Sequence, residues 1–391
     1  VYPYLRGVAD FWEKDLVYRD GVYHVVGDGM HERTDGNIRD NGVPENPVNT
    51  LGYLKTFFTW MPRISEALDL DEKKREKWLE IAENLAPYPK GTIREIQENP
   101  TLWKEVDVKL EDLLPEEMLD KEIYYDEGIG GKWSFHFPGN VMQIYPGNAI
   151  GLGSAPEELE VARNTVQIHA LVENALGELE YRKALEEAEF ADKDNANNLL
   201  FNSNGELENG EAYSNGMESG GVKNPHFYKA GAFNASNLSC LFFTAAVRVG
   251  YAPEIIWKEM RDMILNRGIP NGFLKENPHG IEQLNTIPDA IQEMMLQSCE
   301  GVIRIFPVWP SAEHPNASFR NFRAWGGFEV SAVLKDGEVE RVTILSHKGH
   351  PCRVKNPWPG KSVKVSYEYG RPNEVHFGEY LNIELYKEEH A

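Results

Sequence analysis

Residues 280–310, GIEQLNTIPDAIQEMMLQSCEGVIRIFPVWP, change from a helical pattern to an extended one within a single stretch. The first part predicts a helix that begins at Thr286, with Asp289 three residues later in the spacing of a capping box. Apolar side chains then recur along one helix face, at Ile287, Ile291, Met294 and Met295. Residues 302–310 are rich in β-branched and aromatic side chains and end in a proline, which predicts a strand. A carboxylate, Glu282, lies just before the predicted helix.

Composition and charge predict a soluble protein. The chain has 391 residues, enough for two domains. No apolar run approaches the ~18 residues of a membrane-spanning helix, so no membrane insertion is expected. The formal net charge of -22 disfavours nucleic acid as a partner, because phosphate backbones repel an acidic protein. The cysteines, Cys240, Cys299 and Cys352, are too few and too scattered for a disulfide framework or a metal cluster.

Helical patterns fill most of the chain up to residue 300, and extended patterns follow. Helices are predicted over residues 2–16, 48–68, 71–86, 154–184, 237–249 and 252–267. Further along, Asp336-Gly337 predicts a hairpin turn between two strands. The expected fold class is therefore mainly α, with a helical domain over residues 1–314 and a small C-terminal antiparallel β domain over residues 315–391. The polar segment 27–46 has no periodicity, and loops of this length are usually functional or disordered.

Five segments, in order, resemble glycoside hydrolase family 95, the α-L-fucosidase-like enzymes. They are residues 2–16, 144–152 together with 162–165, 246–253, 291–310 and 322–330. The last two, IQEMMLQSCEGVIRIFPVWP and FRAWGGFEV, are the most specific. The resemblance implies that the helical domain is an (α/α)6 barrel, a toroid of six helical hairpins. In the family, two asparagines from a segment upstream of the region matching residue 2 assist the catalytic base, so we expect this chain to be a fragment with a partial barrel.

The resemblance implies hydrolysis of terminal α-L-fucosyl or α-L-galactosyl residues with inversion. In this reaction one carboxylic acid protonates the leaving oxygen and a carboxylate about 6.5–9.5 Å away activates water. The family's acid corresponds to Glu32, with Glu45 in Pro-Glu-Asn as the alternative. Its base corresponds to Glu282, with Asp289 as the alternative, although the capping spacing gives Asp289 a structural role. Aspartate is usual at the base position, so Glu282 departs from the family pattern and leaves the sugar open.

Polar and aromatic side chains near these carboxylates are the predicted sugar-binding residues. They are His31, His136, Asn237, His279 and Trp309. Neutral imidazoles hydrogen-bond sugar hydroxyls, and the reaction needs no metal or other cofactor. Each histidine alone is as well explained as an ordinary loop residue, and core packing is the alternative for Trp309.

An oligosaccharide or glycoconjugate is the expected substrate, and the resemblance suggests a bacterial protein exported to the periplasm or the cell exterior. Two other functions stay open. The first is another six-hairpin glycosidase or a lyase that acts on polysaccharide, since one scaffold hosts many reactions. The second is a non-catalytic carbohydrate-binding protein.

Overall fold

A computed structural model describes residues 1–28, 45–98, 109–125, 138–171, 239–267, 270, 286–368 and 371–390. The chain forms two compact units. The N-terminal unit comprises Val1–Val249 and Glu259–Thr286, and the C-terminal unit comprises Gly250–Lys258 and Ile287–Ala391. The predicted domain boundary after residue 314 stays a prediction.

The N-terminal unit begins with a helix and a tight hairpin. Helix α1 covers Tyr2–Asp15, and strands β1 (Val17–Arg19) and β2 (Val22–His24) pair in antiparallel fashion. Asp20 and Gly21 link them with φ angles of 51° and 85°. An Asp-Gly pair adopts two successive positive φ values at little energetic cost, so this sequence determines the turn.

Two further helices lie within the ranges 48–68 and 71–86 that the sequence predicts to be helical. Helix α2 is Val48–Leu68 and helix α3 is Arg75–Glu83, which follows a single 3₁₀ turn. Asp69 ends α2 in the left-handed conformation, with φ at 54°, and the side chain of Ser65 donates a hydrogen bond to the carbonyl of Leu70. The core of this region contains the large apolar side chains of Leu51, Phe58, Met61, Trp78 and Ile81.

Further elements follow up to residue 267. They are β3 (Lys90–Thr92), α4 (Ile93–Glu98), α5 (Leu110–Leu113), β4 (Glu122–Tyr124), α6 (residues 156–171), α7 (Ser239–Arg248) and α8 (Pro253–Arg267). The first part of α8, up to Lys258, belongs to the C-terminal unit. Strands β3 and β4 pair with each other, and a 3₁₀ turn covers Pro138–Val141. Helix α7 is buried nearly all round, as its apolar sequence predicts.

The expected mainly-α class and its (α/α)6 barrel are wrong for this structure. Short antiparallel strand pairs, β1–β2 and β3–β4, interrupt the helical half of the chain. Helices α4 and α5 have only 6 and 4 residues, too few to form the walls of a helical toroid. In the residues that the structure describes, no ring of helical hairpins closes. Helical periodicity predicted the long helices but does not report how they are linked.

The longer segment of the C-terminal unit, Ile287–Ala391, begins within helix α9 (Thr286–Met295), which starts at the predicted residue. The predicted strand over residues 302–310 is mostly wrong. Only β6 (Arg304–Ile305) is a strand, and it pairs with β5 (Leu296–Gln297). Phe306 then turns the chain, because its φ angle is 48° and its amide donates to the carbonyl of Met295 at 2.7 Å.

Antiparallel strands make up the rest of this unit. They are β7 (Ala317–Ala324), β8 (Phe328–Lys335), β9 (Glu338–Ser346), β10 (Cys352–Lys355), β11 (Val363–Val365), β12 (Glu374–His376), β13 (Tyr380–Ile383) and β14 (Glu389–His390). One sheet has the order β14-β9-β8-β7, while β10 pairs with β13 and β11 with β12. Asp336 and Gly337 form the predicted turn between β8 and β9, with φ angles of 51° and 81°.

Candidate functional site

Most of the predicted site residues lie outside the described part of the chain. These are Glu32, Glu282, His31, His136, Asn237 and His279. The described candidates are Glu45, Asp289 and Trp309. The structure therefore describes the two alternative catalytic carboxylates, one predicted sugar-binding residue and the residues that flank segment 29–44.

Glu45 is held at the base of the first hairpin. Its carboxylate pairs with the guanidinium of Arg19 and lies 3.0 Å from His24 Nδ1. Asn46, with φ at 55°, donates its backbone amide to Val25 O at 2.8 Å, and its side-chain oxygen accepts from Val25 N at 3.0 Å. These contacts give Glu45 a structural task, which is to fix the chain next to β2.

The same contacts bring together the two ends of the segment that contains Glu32. Val26 and Glu45 form an antiparallel bridge, so residues on either side of 29–44 are neighbours. Asp28 accepts a hydrogen bond from the hydroxyl of Thr50 at 2.5 Å, which ties the first end to the first turn of α2. The described residues on either side of segment 29–44 therefore lie beside the N-terminus of α2.

The two described candidates of the C-terminal unit are integrated into its scaffold. Asp289 lies in the first turn of α9, where a negative charge is favourable to the helix dipole. Trp309 is 9% exposed, and its Nε1 donates to the carbonyl of His314 at 2.9 Å. Its ring packs edge-on against Trp257 and Phe306. This environment favours the core-packing interpretation of Trp309 over a sugar-stacking floor.

A group of buried amides in the N-terminal unit is the strongest candidate for a binding site. We call Asn49, Asn140 and Gln143 the amide group; their exposed fractions are 8%, 2% and 0%. The side-chain NH₂ of Gln143 donates to Asn140 O at 2.9 Å, and that of Asn140 donates to Tyr124 O at 3.3 Å. Both side-chain nitrogens therefore have an acceptor, and these two hydrogen bonds fix the orientation of the side-chain oxygens. Among the described residues, no donor reaches Asn49 Oδ1, Asn140 Oδ1 or Gln143 Oε1.

Close backbone packing holds this group in place. A Cβ atom on Gly52 would lie 2.6 Å from both Cα and Cβ of Gln143, so only glycine allows α2 to approach this closely. Asn49 lies three residues before Gly52 and therefore on the same face of α2. Further along that face, the hydroxyl of Thr56 donates to Gly147 O at 2.6 Å. The N-terminal half of α2 is thereby fixed against residues 140–147.

Two buried phenols lie close to the amide group. The rings of Tyr88 and Tyr124 meet edge to face, with centroids 5.7 Å apart, and the ammonium of Lys55 lies 5.5 Å from the Tyr88 ring centroid. Burial raises the pKa of both phenols well above the ordinary value, and the nearby carboxylate of Glu158 raises both further. Both side chains are therefore neutral at physiological pH. Tyr88 Oη is buried with no hydrogen-bond partner in the described residues.

The segment at 144–152 is one of the five that carry the family resemblance, but the amides just before it are not among the predicted site residues. Asn140 and Gln143 stand three residues apart in the run Asn-Val-Met-Gln-Ile, in which Val141 and Ile144 are buried apolar residues. Such a pattern is a usable signal, because buried amides without partners are rare in native proteins.

The chain matches no protein-family model, and no curated protein matches it significantly in sequence. The family 95 resemblance therefore stays a prediction. No helix within the described ranges is long and apolar enough to cross a membrane. Those ranges also contain no group of three or more histidine, cysteine, aspartate or glutamate side chains arranged to hold a metal ion.

Proposed function

We propose that this protein is a glycoside hydrolase that releases terminal α-L-fucosyl or α-L-galactosyl residues with inversion. The proposal concerns the activity and not the barrel that the resemblance also implied. Its supports are the five resembling segments and the amide group, two members of which, Asn140 and Gln143, lie directly before the segment at 144–152.

The observation that carries the proposal is the set of acceptors without donors in the amide group. Leaving a buried polar atom unpaired costs about 1–3 kcal/mol, so a protein that keeps three of them gains by binding a ligand rich in donors. Sugar hydroxyls are such donors. Because the side-chain nitrogens of Asn140 and Gln143 are already bonded to backbone carbonyls, the side-chain oxygens of these two residues are held in fixed orientations as acceptors.

In the proposed reaction Glu32 protonates the leaving oxygen and Glu282 removes a proton from the attacking water. The acid must be protonated and the base ionised at the working pH, so the pKa of Glu32 is expected above that of Glu282. The amide group would bind hydroxyls of the sugar and hold its anomeric carbon between the two carboxyl groups. Glu45, with its carboxylate paired to Arg19, would only fix one end of the catalytic segment.

The test uses the isosteric variants Glu32→Gln and Glu282→Gln, with Glu45→Gln and Asp289→Asn as matched controls. Turnover of an aryl α-L-fucoside and the corresponding α-L-galactoside is followed. We expect the first two changes to lower kcat at least about a hundredfold, since general acid or base catalysis contributes about 10²–10⁴. Equal losses in the control pair would contradict these role assignments.

A non-catalytic carbohydrate-binding protein is the second candidate, favoured by the fact that the amide group alone supports binding without chemistry. It predicts saturable binding of L-fucose or L-galactose and no turnover of either aryl glycoside. Turnover that is lost in the Glu32→Gln protein would exclude it.

A further inference from the structure

The C-terminal unit contains a cavity of about 520 Å³ between β9 and the paired strands that follow it. Its floor is apolar and buried, formed by Ile344, Val354, Val365, Leu381 and Ile383. The cavity is open to solvent on one side, where exposed residues such as Lys364 and Ser366 line it, so a ligand can enter without displacing the core. Its volume lies within the ~300–1,000 Å³ typical of small-molecule sites.

Strand pairing explains why the cavity exists. Strand β14 covers only the end of β9, where Glu389 pairs with Ser346 and His390 pairs with Leu345. Strands β10–β13 and β11–β12 form separate two-stranded sheets, so in the described part of the unit no further strand pairs with the earlier part of β9. The half-buried side chains of Val342 and Val363 line this gap from opposite strands.

The wall of the cavity includes an anchored aromatic ring. Trp358 is half-buried and its Nε1 donates to Val339 O at 2.5 Å, while its backbone amide donates to Asn356 Oδ1 at 2.9 Å. The polar edge of the indole is therefore satisfied by the protein, and its apolar surface is available to the cavity that it lines.

The exposed rim of the cavity carries more positive than negative charge. Arg341 and Lys364 both line it and are exposed, and no ion pair in the described residues involves either of them. Glu368 is the acidic residue of the lining. In a protein with a formal net charge of -22, two cations at the mouth of an apolar cavity make a local site for an anion.

The geometry points to this cavity as a binding site for a small molecule with an apolar body and one anionic group. The apolar body would occupy the floor beside Trp358, and the anionic group would remain at the rim near Arg341 and Lys364. This site is independent of the glycoside hydrolase proposal, since it shares no residue with the amide group or the predicted carboxylates.

Two dyes of nearly the same shape test the proposal on the full chain. 8-Anilinonaphthalene-1-sulfonate has an apolar aromatic body and one sulfonate, and N-phenyl-1-naphthylamine has the same body without the charge. We expect one saturable site for the sulfonate dye by fluorescence titration. The double change Arg341→Glu with Lys364→Glu should weaken its binding at least about tenfold, because charge-assisted contacts are lost, and should change binding of the neutral dye less than about twofold.

Control variants locate the site. Val342→Trp, and independently Val363→Trp on the facing strand, should abolish binding of both dyes by filling the cavity. Arg320→Glu, an exposed arginine on β7 without an ion pair in the described residues, should leave both titrations unchanged. Near-ultraviolet circular dichroism identifies any variant that has not folded. Unchanged binding in a folded tryptophan variant, or equal weakening by Arg320→Glu, would overturn the proposal.

Discussion

Replacing Gln143 by methionine distinguishes a ligand-binding amide from a structural one. The change keeps the side-chain length and removes one hydrogen bond, from Gln143 Nε2 to Asn140 O at 2.9 Å, worth about 1 kcal/mol. It also removes Oε1, a buried acceptor without a donor in the described residues, whose desolvation costs about 1–3 kcal/mol. The two effects oppose each other. We expect the free energy of unfolding to stay within about 1 kcal/mol of the wild-type value or to rise.

Ligand binding should respond in the opposite sense. Loss of one buried acceptor for a sugar hydroxyl should weaken binding of L-fucose or methyl α-L-fucoside about tenfold, which corresponds to about 1.4 kcal/mol. Urea unfolding and isothermal titration calorimetry measure the two quantities. A matched control is Asn164→Leu, which removes a buried amide whose Nδ2 donates to Glu122 O at 3.2 Å. That variant should lose about 1–3 kcal/mol of stability and keep its sugar affinity. A Gln143→Met protein that is clearly destabilised but binds sugar normally would refute the reasoning.

Three further predictions concern packing, pH and Trp309. Gly52→Ala should destabilise the protein by about 1–3 kcal/mol, because the new Cβ would overlap Cα and Cβ of Gln143. The control, Gly7→Ala, has open space around its Cβ and should stabilise α1 by about 0.5–1 kcal/mol. The urea midpoints of unfolding of the two variants measure both effects. Burial raises the pKa of Tyr88, so unfolding releases a proton once the pH exceeds the unfolded value of about 10. Thermal midpoints should therefore fall above about pH 10, and less steeply in Tyr88→Phe; equal slopes would contradict this. Trp309→Phe removes the hydrogen bond from Nε1 to the carbonyl of His314 and should lower the free energy of unfolding by about 1–3 kcal/mol without changing sugar affinity. Weaker sugar binding at unchanged stability would instead make Trp309 a stacking residue.

The sequence predicts correctly those features that depend on a few adjacent residues. The Asp-Gly pairs at 20–21 and 336–337 set hairpin turns, and the apolar faces of α1, α2 and α9 set helices at the predicted starts. These features depend on φ preferences and on periodicity over one element, both of which can be read from a few adjacent residues.

Features that depend on distant residues were not predictable in this way. Residues 302–310 are rich in β-branched and aromatic side chains, yet the strand within them covers only Arg304–Ile305, because the chain turns at Phe306 and closes onto Met295. Strands β3 and β4 are 29 residues apart and three residues long, so neither has a periodicity that could be recognised. The pairing of β3 with β4 also interrupts the region in which a helical toroid was expected.

The same distinction between local and long-range features applies to the candidate site. Carboxylates and histidines were selected by resemblance and by residue type, and most of them lie outside the described residues. Glu45 could be interpreted only after the structure placed Arg19 and His24 beside it. The amide group depends on contacts between α2 and residues 140–147, a proximity that no local pattern reports.

Hydrolysis of 4-nitrophenyl α-L-fucoside, followed by proton NMR from the first minute, tests the central claim most directly. We predict that the protein releases fucose and that the β-anomer appears before the α-anomer, as inversion requires, with the same order for the α-L-galactoside if it is also a substrate. The Glu32→Gln protein should release neither sugar at a comparable rate. Initial formation of the α-anomer, or absence of turnover for both substrates in a folded protein, would contradict the account.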